Sequence, residues 1–421
     1  MKINDAMPVV VLRGVESASH GALGIVRSLG RLGIPVHLVA RDSQTPGFYS
    51  RYCKGRRVCN VENDNVEKSL EVLLEVGREI GQRSILIPTD DNAVLFVADH
   101  ASALAEQFLF PPMCPKLIRE VSSKKGMYYL AKKHGVPTPE AAFPTSRLDV
   151  LDFISRAQFP VMLKAIYGSL LMKVSGQKMF IVHTEAELLE KYDALEDPAN
   201  PNLMIQEYIP GGDDTVWMFD GYFNDQSDCL LAFTGKKIRQ YPVSQGSTSL
   251  GICLQNETVR QTTVDFMKKI GYKGILDIGY RYDARDGLYK VLDINPRIGS
   301  TFRLFVAENG MDVARALYLD LTGQQVVPGA AREGRKWVVE DQDLVSCLQY
   351  HRQGDLTFKQ WLNSFNGVEE AGFFATDDPA PCVTRLLSLC GQALKKINPL
   401  AERRFGRTIL AAKSERESPV G

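Results

Sequence analysis

The residues with the most chemical content lie in GILDIGYRYDARDGLYKVLDINPR, from Gly274 to Arg297. The segment reads as two strands joined by a turn at DARDG. Side chains alternate along a strand, so Val291, Asp293 and Asn295 should point one way and Leu292 and Ile294 the other. With Tyr282 facing Leu288 across a five-residue loop, a usual hairpin length, Asp277 falls opposite Asp293. Two carboxylates side by side on neighbouring strands repel each other. A divalent cation removes that cost, and the oxygens of Asp and Asn suit Mg²⁺. The competing reading is an ordinary hairpin with a solvated acidic face. Asp293 and Asn295 interrupt an otherwise apolar strand, and Pro296-Arg297 follow at once, which favours a metal site.

Other segments carry cations and turn residues suited to an anionic ligand. Lys164 ends the apolar strand of FPVMLKA (159–165) and needs either a route to solvent or an anion there. Lys124 opens a helix in SSKKGMYYLAKKHG, where taken alone it is an ordinary solvated lysine. In KKIR (236–239), alternation puts Lys237 and Arg239 on one face and Lys236 on the other. QEYIPGGDD (206–214) combines a strand with a two-glycine loop, and Asp213 and Asp214 suit turn chemistry in any protein. PTDD (88–91) sits where a strand meets a helix, so Asp90 or Asp91 can cap that helix or meet a ligand at a strand end. The six histidines are dispersed; His20 alone lies near the end of the first strand. No Ser–His–Asp or catalytic-Cys pattern is evident.

The elements that must hold these residues follow from periodicity. Strands at 9–14, 34–40 and 84–88 alternate with helices at 21–33, 66–81 and 91–106, which argues for a parallel sheet with flanking helices. Gly14, Gly21 and Gly24 are not spaced as GxGxxG, so a dinucleotide fingerprint is absent. Past Pro115 the expected order is helix 122–134, helix 148–157, strand 159–165, strand 179–182, a helix from Glu185, and strand 203–209. More strands to about 254, helix 257–270, the acidic hairpin and a helical region from Val306 complete it. TFKQWLNSF (357–365) reads as an amphipathic helix covering the core, with a membrane or partner contact as the second reading.

The chain has 421 residues, enough for two or three domains. Lys plus Arg and Asp plus Glu both number 50, so no global positive field marks nucleic acid as the partner. No apolar run approaches the roughly 20 residues that span a bilayer, and the N-terminus lacks a signal-peptide pattern. Eight scattered cysteines without a CxxC pair read as reduced thiols. These features point to the cytoplasm.

Lys124, Lys164, QEYIPGGDD, KKIR, Asp277 and DINPR occur in an order that resembles the ATP-grasp superfamily over residues 1–325. The likeness is greatest to carboxylate–amine ligases related to D-aspartate ligase, through ALGIVRSLGRLGIPV, PTDD and RQYPVSQGSTS. It implies a mixed α/β and α+β fold: a Rossmann-like pre-ATP-grasp domain at 1–114, a small ATP-grasp subdomain at 115–202, and a large subdomain at 203–325. Residues 326–421 form an extension outside the likeness. ATP is implied at Lys124 (or its neighbour Lys125), Lys164, Gln206, Glu207, Tyr208, Ile209, Asp213 (or Asp214) and Lys236. Mg²⁺, with Mn²⁺ as a substitute, is implied at Asp277, Asp293 and Asn295. Arg297, Lys237 and Arg239 are the implied catalytic cations, and His20, Asp90 and Asp91 the implied substrate contacts. The family's phosphate-covering loop is usually glycine-rich, whereas 165–178 has only Gly168 and Gly176. Either Ser169, Lys173 or Lys178 substitutes there, or the loop orders only on binding.

The implied reaction is ATP-dependent coupling of a small-molecule carboxylate, an amino acid among the candidates, to an amine through an acylphosphate. A carboxylate approaching a triphosphate meets about 4 kcal/mol of repulsion per unit pair at ~4 Å and an effective dielectric of 20. Fixed cations and a metal offset it. A phosphotransferase and a non-catalytic nucleotide-binding module on the same scaffold are the alternatives. The resemblance leaves room for a homodimer.

Overall fold

The structure is a computed structural model describing residues 4–14, 19–61, 65–166, 171, 175–243 and 246–397. Chain order begins β1 (Val9–Arg13), α1 (Ser19–Gly30), β2 (Val36–Ala40), β3 (Cys53–Val58), α2 (Val66–Ile80), β4 (Ser84–Pro88), α3 (Asp91–Asp99), α4 (Ala101–Leu104) and β5 (Phe108–Leu109). These strands form one parallel sheet in the order β3-β2-β1-β4-β5. β1 and β4 are wholly buried and apolar but for Arg13 and Ser84 at their ends, as strands covered on both faces must be. The helix expected over 91–106 breaks at His100. CKGRRV alternates half-buried and exposed residues as the edge strand β3, and its basic, glycine-containing sequence offers little strand signal.

Next come α5 (Pro115–Ser122), α6 (Lys124–Lys133), β6 (Ala141–Ala142), α7 (Arg147–Ile154), β7 (Val161–Ala165), β8 (Met179–Val182), α8 (Glu185–Leu195) and β9 (Leu203–Glu207). β6-β9-β7-β8 is an antiparallel sheet of four strands. Its own core includes Phe153, Leu163, Leu188 and Ile205. β9 therefore belongs with the small sheet, and the change of sheet follows Glu207 rather than residue 202.

The remaining elements are β10 (Val216–Phe223), β11 (Cys229–Tyr241), β12 (Ser247–Cys253), α9 (Glu257–Ile270), β13 (Gly274–Asp283), β14 (Leu288–Asn295), α10 (Val313–Leu321), β15 (Lys336–Val338), α11 (Glu340–Gln353), α12 (Phe358–Ser364), β16 (Val368–Ala371) and α13 (Ala380–Ile397). The helix expected from Val306 starts at Val313, where the Asp312 carboxylate caps it by accepting from Arg315 N–H. Seven strands join in the order β14-β13-β10-β11-β12-β15-β16. One face of this sheet shares a core with the N-terminal layer, where Leu23 and Val26 meet Met218, Tyr222, Phe302 and Trp337. The other face packs Phe219, Leu276 and Ile294 among Met127, Phe266 and Met267. Residues beyond 325 thus complete the central sheet. α12 leaves Phe358 and Leu362 exposed, so it does not cover an apolar core; Trp361 instead donates to the Asp343 carboxylate at 2.9 Å.

Candidate active site

The acidic hairpin differs in register from its simplest reading. Tyr282 pairs with Tyr289 and Asp283 with Leu288, and the ladder shifts between Gly279 and Tyr280. One extra residue on β14 is a β-bulge, and it reverses the parity of everything beyond it. Val291 and Ile294 therefore both enter the core, while Leu292 and Asp293 face a cleft. Asp277 lies opposite Asn295, not Asp293. The three oxygen-bearing side chains nonetheless converge. Asn295 Nδ2 donates to Asp277 Oδ2 at 3.3 Å and to Asp293 Oδ2 at 3.2 Å. Burial pushes the Asp277 carboxyl up to about 6, with Arg297 opposing and Asp293 adding to the rise. The two carboxylates offer oxygen ligands that suit a hard divalent cation such as Mg²⁺, while the Asn295 carboxamide turns its nitrogen to both of them and its oxygen to Arg297.

Arg297 stands beside this trio. Its Nε donates to Asp91 Oδ1 at 2.9 Å and its second terminal nitrogen to Asn295 Oδ1 at 3.2 Å, while Asp277 Oδ2 lies 3.6 Å from the first. Burial works against its charge, yet Asp91 and Asp277 outweigh burial and hold the guanidinium firmly protonated.

A cleft of about 560 Å³ opens between the four-stranded and seven-stranded sheets. Lys124, Lys164, Lys178, Gln206, Glu207, Tyr208, Ile209, Asp213, Lys237 and Asp293 reach it. Lys124 follows the cap formed by Ser123, whose hydroxyl accepts from Gly126 N–H, and donates to the Ile166 carbonyl at 3.3 Å. Burial lowers its pKa. Lys164 makes no hydrogen bond or ion pair to any described residue. Burial, reinforced by Lys124 and opposed by Asp293, brings its ammonium down to about 8. Lys237 donates to Gly246 O at 3.0 Å and to Gln240 Oε1 at 3.4 Å, and burial lowers its pKa too.

Two cations of KKIR are not brought to the cleft. Lys236 pairs with Trp217 across β10–β11 and places its ammonium 4.7 Å from that ring, a cation–π contact on the opposite face of the sheet. Arg239 was expected to share the face of Lys237, but the β11–β12 ladder shifts on both sides of it. It turns instead to α11, where Nε and a terminal nitrogen each donate to Asp343 at 2.8 Å. Both side chains of that pair are at least 96% buried, so Arg239 is a structural cation and cannot serve as a catalytic one.

Other expected residues divide similarly. The Glu207 side chain turns to Arg285 and Lys290, leaving its backbone at the cleft. Asp213 accepts from Gln240 Nε2 at 2.7 Å and from the Tyr350 hydroxyl. Asp90 is the cap of α3, accepting from Ala93 N–H at 3.0 Å and Gly14 N–H at 2.6 Å. Asp91, one residue on, holds Arg297. His20 is buried against Trp337 and Phe373, with neither ring nitrogen hydrogen-bonded to a described residue. Burial, together with Arg13 and Arg385, lowers it to about 3, so the ring stays neutral. Gly168, Ser169 and Lys173 lie outside the described residues.

Sequence reasoning passed over Gln240 and Arg281, which also line the cleft, and Asp220. Asp220 pairs with Asp277 across β10–β13 and is 1% exposed, with neither carboxyl oxygen hydrogen-bonded to a described residue. Burial, with Asp277 and Asp312 nearby, raises its pKa well above the carboxylate range. An acidic residue within WMFDGYF was the available signal.

A nucleotide-sized cleft between two sheets, with cations along it and an acidic cluster at its end, accompanies a likeness to ATP-grasp ligases in sequence and fold. Residues 121–215 match the RimK-like ATP-grasp domain. In particular the chain is similar to D-aspartate ligase of Enterococcus faecium, 25% identical over 291 residues, 66% of this chain and 68% of that protein. It shares its fold with N5-carboxyaminoimidazole synthetase from Staphylococcus aureus complexed with ADP, at a TM-score of 0.60 and 12% identity, covering 84% of this chain and 87% of that one. An L-amino acid ligase from Bacillus licheniformis aligns at a TM-score of 0.55 and 15% identity, covering 76% and 75%. Among the described residues no helix is long and apolar enough to cross a membrane.

Proposed function

We propose that this protein uses ATP to activate a small carboxylic acid as its acylphosphate and then joins the acyl group to an amine. The observation that carries this reading is the shared position of Arg297, which touches Asn295 of the oxygen cluster and lines a second cavity beside Asp91. A terminal phosphate lying along the cleft would meet an acid held in that cavity at this arginine. In the first step a carboxylate oxygen attacks the γ-phosphorus and the bond to the β-phosphate oxygen breaks, releasing ADP. In the second, the amine nitrogen attacks the acyl carbon and inorganic phosphate leaves.

Lys164, Lys124 and Lys237 would hold phosphate oxygens by charge-assisted hydrogen bonds. Gln206, Tyr208 and the backbone at Glu207 and Ile209 would meet the base, with Asp213 at the ribose. Arg297 orients the acid, and its planar fork can hold a carboxylate in line. Asp277, Asp293 and Asn295 would hold Mg²⁺ or Mn²⁺, which when bound neutralises phosphate charge. On this reading the four-stranded sheet and the central sheet are the two halves of the grasp, and residues 1–114 carry the acid. A cytoplasmic site of action and a homodimer belong to the same proposal.

The test is ADP release that depends on an added acid, with hydroxamate formed when hydroxylamine replaces the amine. ATP turnover yielding a stable phosphorylated alcohol would select phosphoryl transfer instead, and nucleotide binding without turnover would select a non-catalytic module. Amino acids are tested first in the panel of acids, a choice that the likeness to D-aspartate ligase supports.

A further inference from the structure

Asp213, placed above at the ribose, stands half-buried on a loop with two glycines in front of it. Gly211 has a φ of +132°, and one short turn, Asp213–Thr215, leads from the loop into β10. Glycines lose more conformational freedom on ordering than other residues, so a carboxylate beside them keeps one orientation only where other groups impose it. Arg281 donates to the Gly211 carbonyl and steadies the loop, but it does not touch the carboxylate in that contact. Two side chains from elsewhere do. Gln240 Nε2 donates to Asp213 Oδ1 at 2.7 Å, and the Tyr350 hydroxyl donates to Oδ2. Gln240 also accepts from Lys237 Nζ at 3.4 Å, so one carboxamide joins the acid to a cleft lysine.

Tyr350 lies on α11, in the extension beyond residue 325. Asp343, Ser346 and Tyr350 are spaced three and four residues apart and share one face of that helix. This face is fastened to two successive residues of β11. Asp343 takes the Arg239 guanidinium, the Ser346 hydroxyl donates to the Gln240 carbonyl at 2.7 Å, and the Tyr350 oxygen accepts from Gln240 N–H at 3.4 Å. The Tyr350 hydroxyl is thus held by the β11 main chain while its proton goes to Asp213. A carboxylate oxygen with one donor has room for another, and Asp213 lines the cleft. Resting on the reading of Asp213 as the ribose contact, we infer that Tyr350 is a positioning residue for the nucleotide: through α11 the C-terminal extension aims the Asp213 carboxylate at the sugar hydroxyls. A tyrosine that only packed α11 on the sheet would alter stability without altering which sugar is preferred.

The full chain with Mg²⁺ is titrated calorimetrically with ATP, 2′-deoxyATP and 3′-deoxyATP, and the thermal transition of each variant is recorded. The unaltered protein should bind ATP at least tenfold more tightly than the weaker of the two deoxynucleotides. Tyr350→Phe should narrow that ratio to within threefold, weakening ATP and leaving the deoxynucleotide nearly unchanged, and Asp213→Ala should narrow it as far. In turnover the Tyr350→Phe change should fall on KM for ATP, with kcat within twofold. Ser346→Ala, which loosens the same helix without touching Asp213, should keep the original ratio. A ratio collapsed by Asp213→Ala but intact in Tyr350→Phe would overturn the inference and leave the reading of Asp213 standing. Equal losses for all three nucleotides in Tyr350→Phe, or a ratio that Ser346→Ala narrows as much, would reduce the tyrosine to packing and overturn it too. A ratio near one in the unaltered protein, or one that Asp213→Ala does not move, would remove Asp213 from the ribose and the inference with it.

Discussion

Cations are treated in opposite ways in two regions of this molecule. Where the C-terminal residues pack on the rest of the chain, each buried arginine meets a carboxylate: Arg27 with Asp378, Arg239 with Asp343, Arg303 with Asp312 and Glu370, Arg335 with Glu370. In the cleft, Lys124, Lys164 and Lys237 are partly or wholly desolvated and form no ion pair with a described residue. A buried charge without a counter-ion costs stability. Retaining three of them around one cavity makes sense where an anion arrives from solution. The missing carboxylate sets these three lysines apart from the arginines that meet the C-terminal residues, whereas Arg297, paired with Asp91, follows the arginine pattern.

The sharpest break in that comparison is at the oxygen cluster. Asp293→Ala or Asn295→Ala should lower turnover by about a thousandfold or more, on the scale of lost transition-state electrostatics, and leave the thermal transition intact. Near-normal rates at limiting Mg²⁺ would remove these residues from the metal site. On the scaffold side, Arg239→Ala strands Asp343 and should cost about 3–5 kcal/mol, read by urea unfolding. A loss below 1 kcal/mol there would show that pairing does not mark structural cations.

Lys164→Ala should weaken ATP binding by about tenfold, in the range of one charge-assisted bond. Because burial holds Lys164 down to about 8, its charged fraction falls as pH rises through that value. ATP affinity should therefore be higher below pH 8, decline above it, and lose this step in the alanine variant. Calorimetry across pH 7–9 decides. Asp220→Asn should stabilise the protein by about 1–2 kcal/mol at neutral pH, since a buried carboxyl with no hydrogen bond is costly. Its folded pKa is raised, so the unfolded chain releases this proton first and the penalty grows as pH climbs above the ordinary carboxylate range. The stabilisation should fade in acid, and an unchanged melting temperature at pH 7.5 would refute it. Smallest of all, Lys236→Ala should leave ATP affinity unaltered and cost about 0.5–1 kcal/mol of stability; a tenfold loss of affinity would return it to the cleft.

Much of this arrangement was legible from residue types and order. Asp277, Asp293, Asn295 and Arg297 are gathered because the hairpin turns where DARDG says it must, and the first βα units follow their apolar runs. Parity was not legible. A single extra residue near Leu292 and two register shifts around Arg239 leave no trace in composition, yet each reverses which face a side chain takes. The Arg239–Asp343 bond joins positions 104 apart, and no local pattern could have anticipated it. Gln240 and Arg281 were missed for a related reason, since polar residues on half-buried strands look like solvent-facing ones until a neighbouring sheet turns their side into a cavity.

The addition of β15 and β16 to the central sheet has a practical outcome. β12 gains its outer neighbour only from residues 336–338, and β11 gains the acid that neutralises Arg239 only from α11. A version trimmed to the segment resembling known ligases would bare an unsatisfied strand rim beside an orphaned guanidinium, a template for self-association. Anyone seeking a minimal catalytic fragment should therefore retain the chain through at least Ala371 and Asp378.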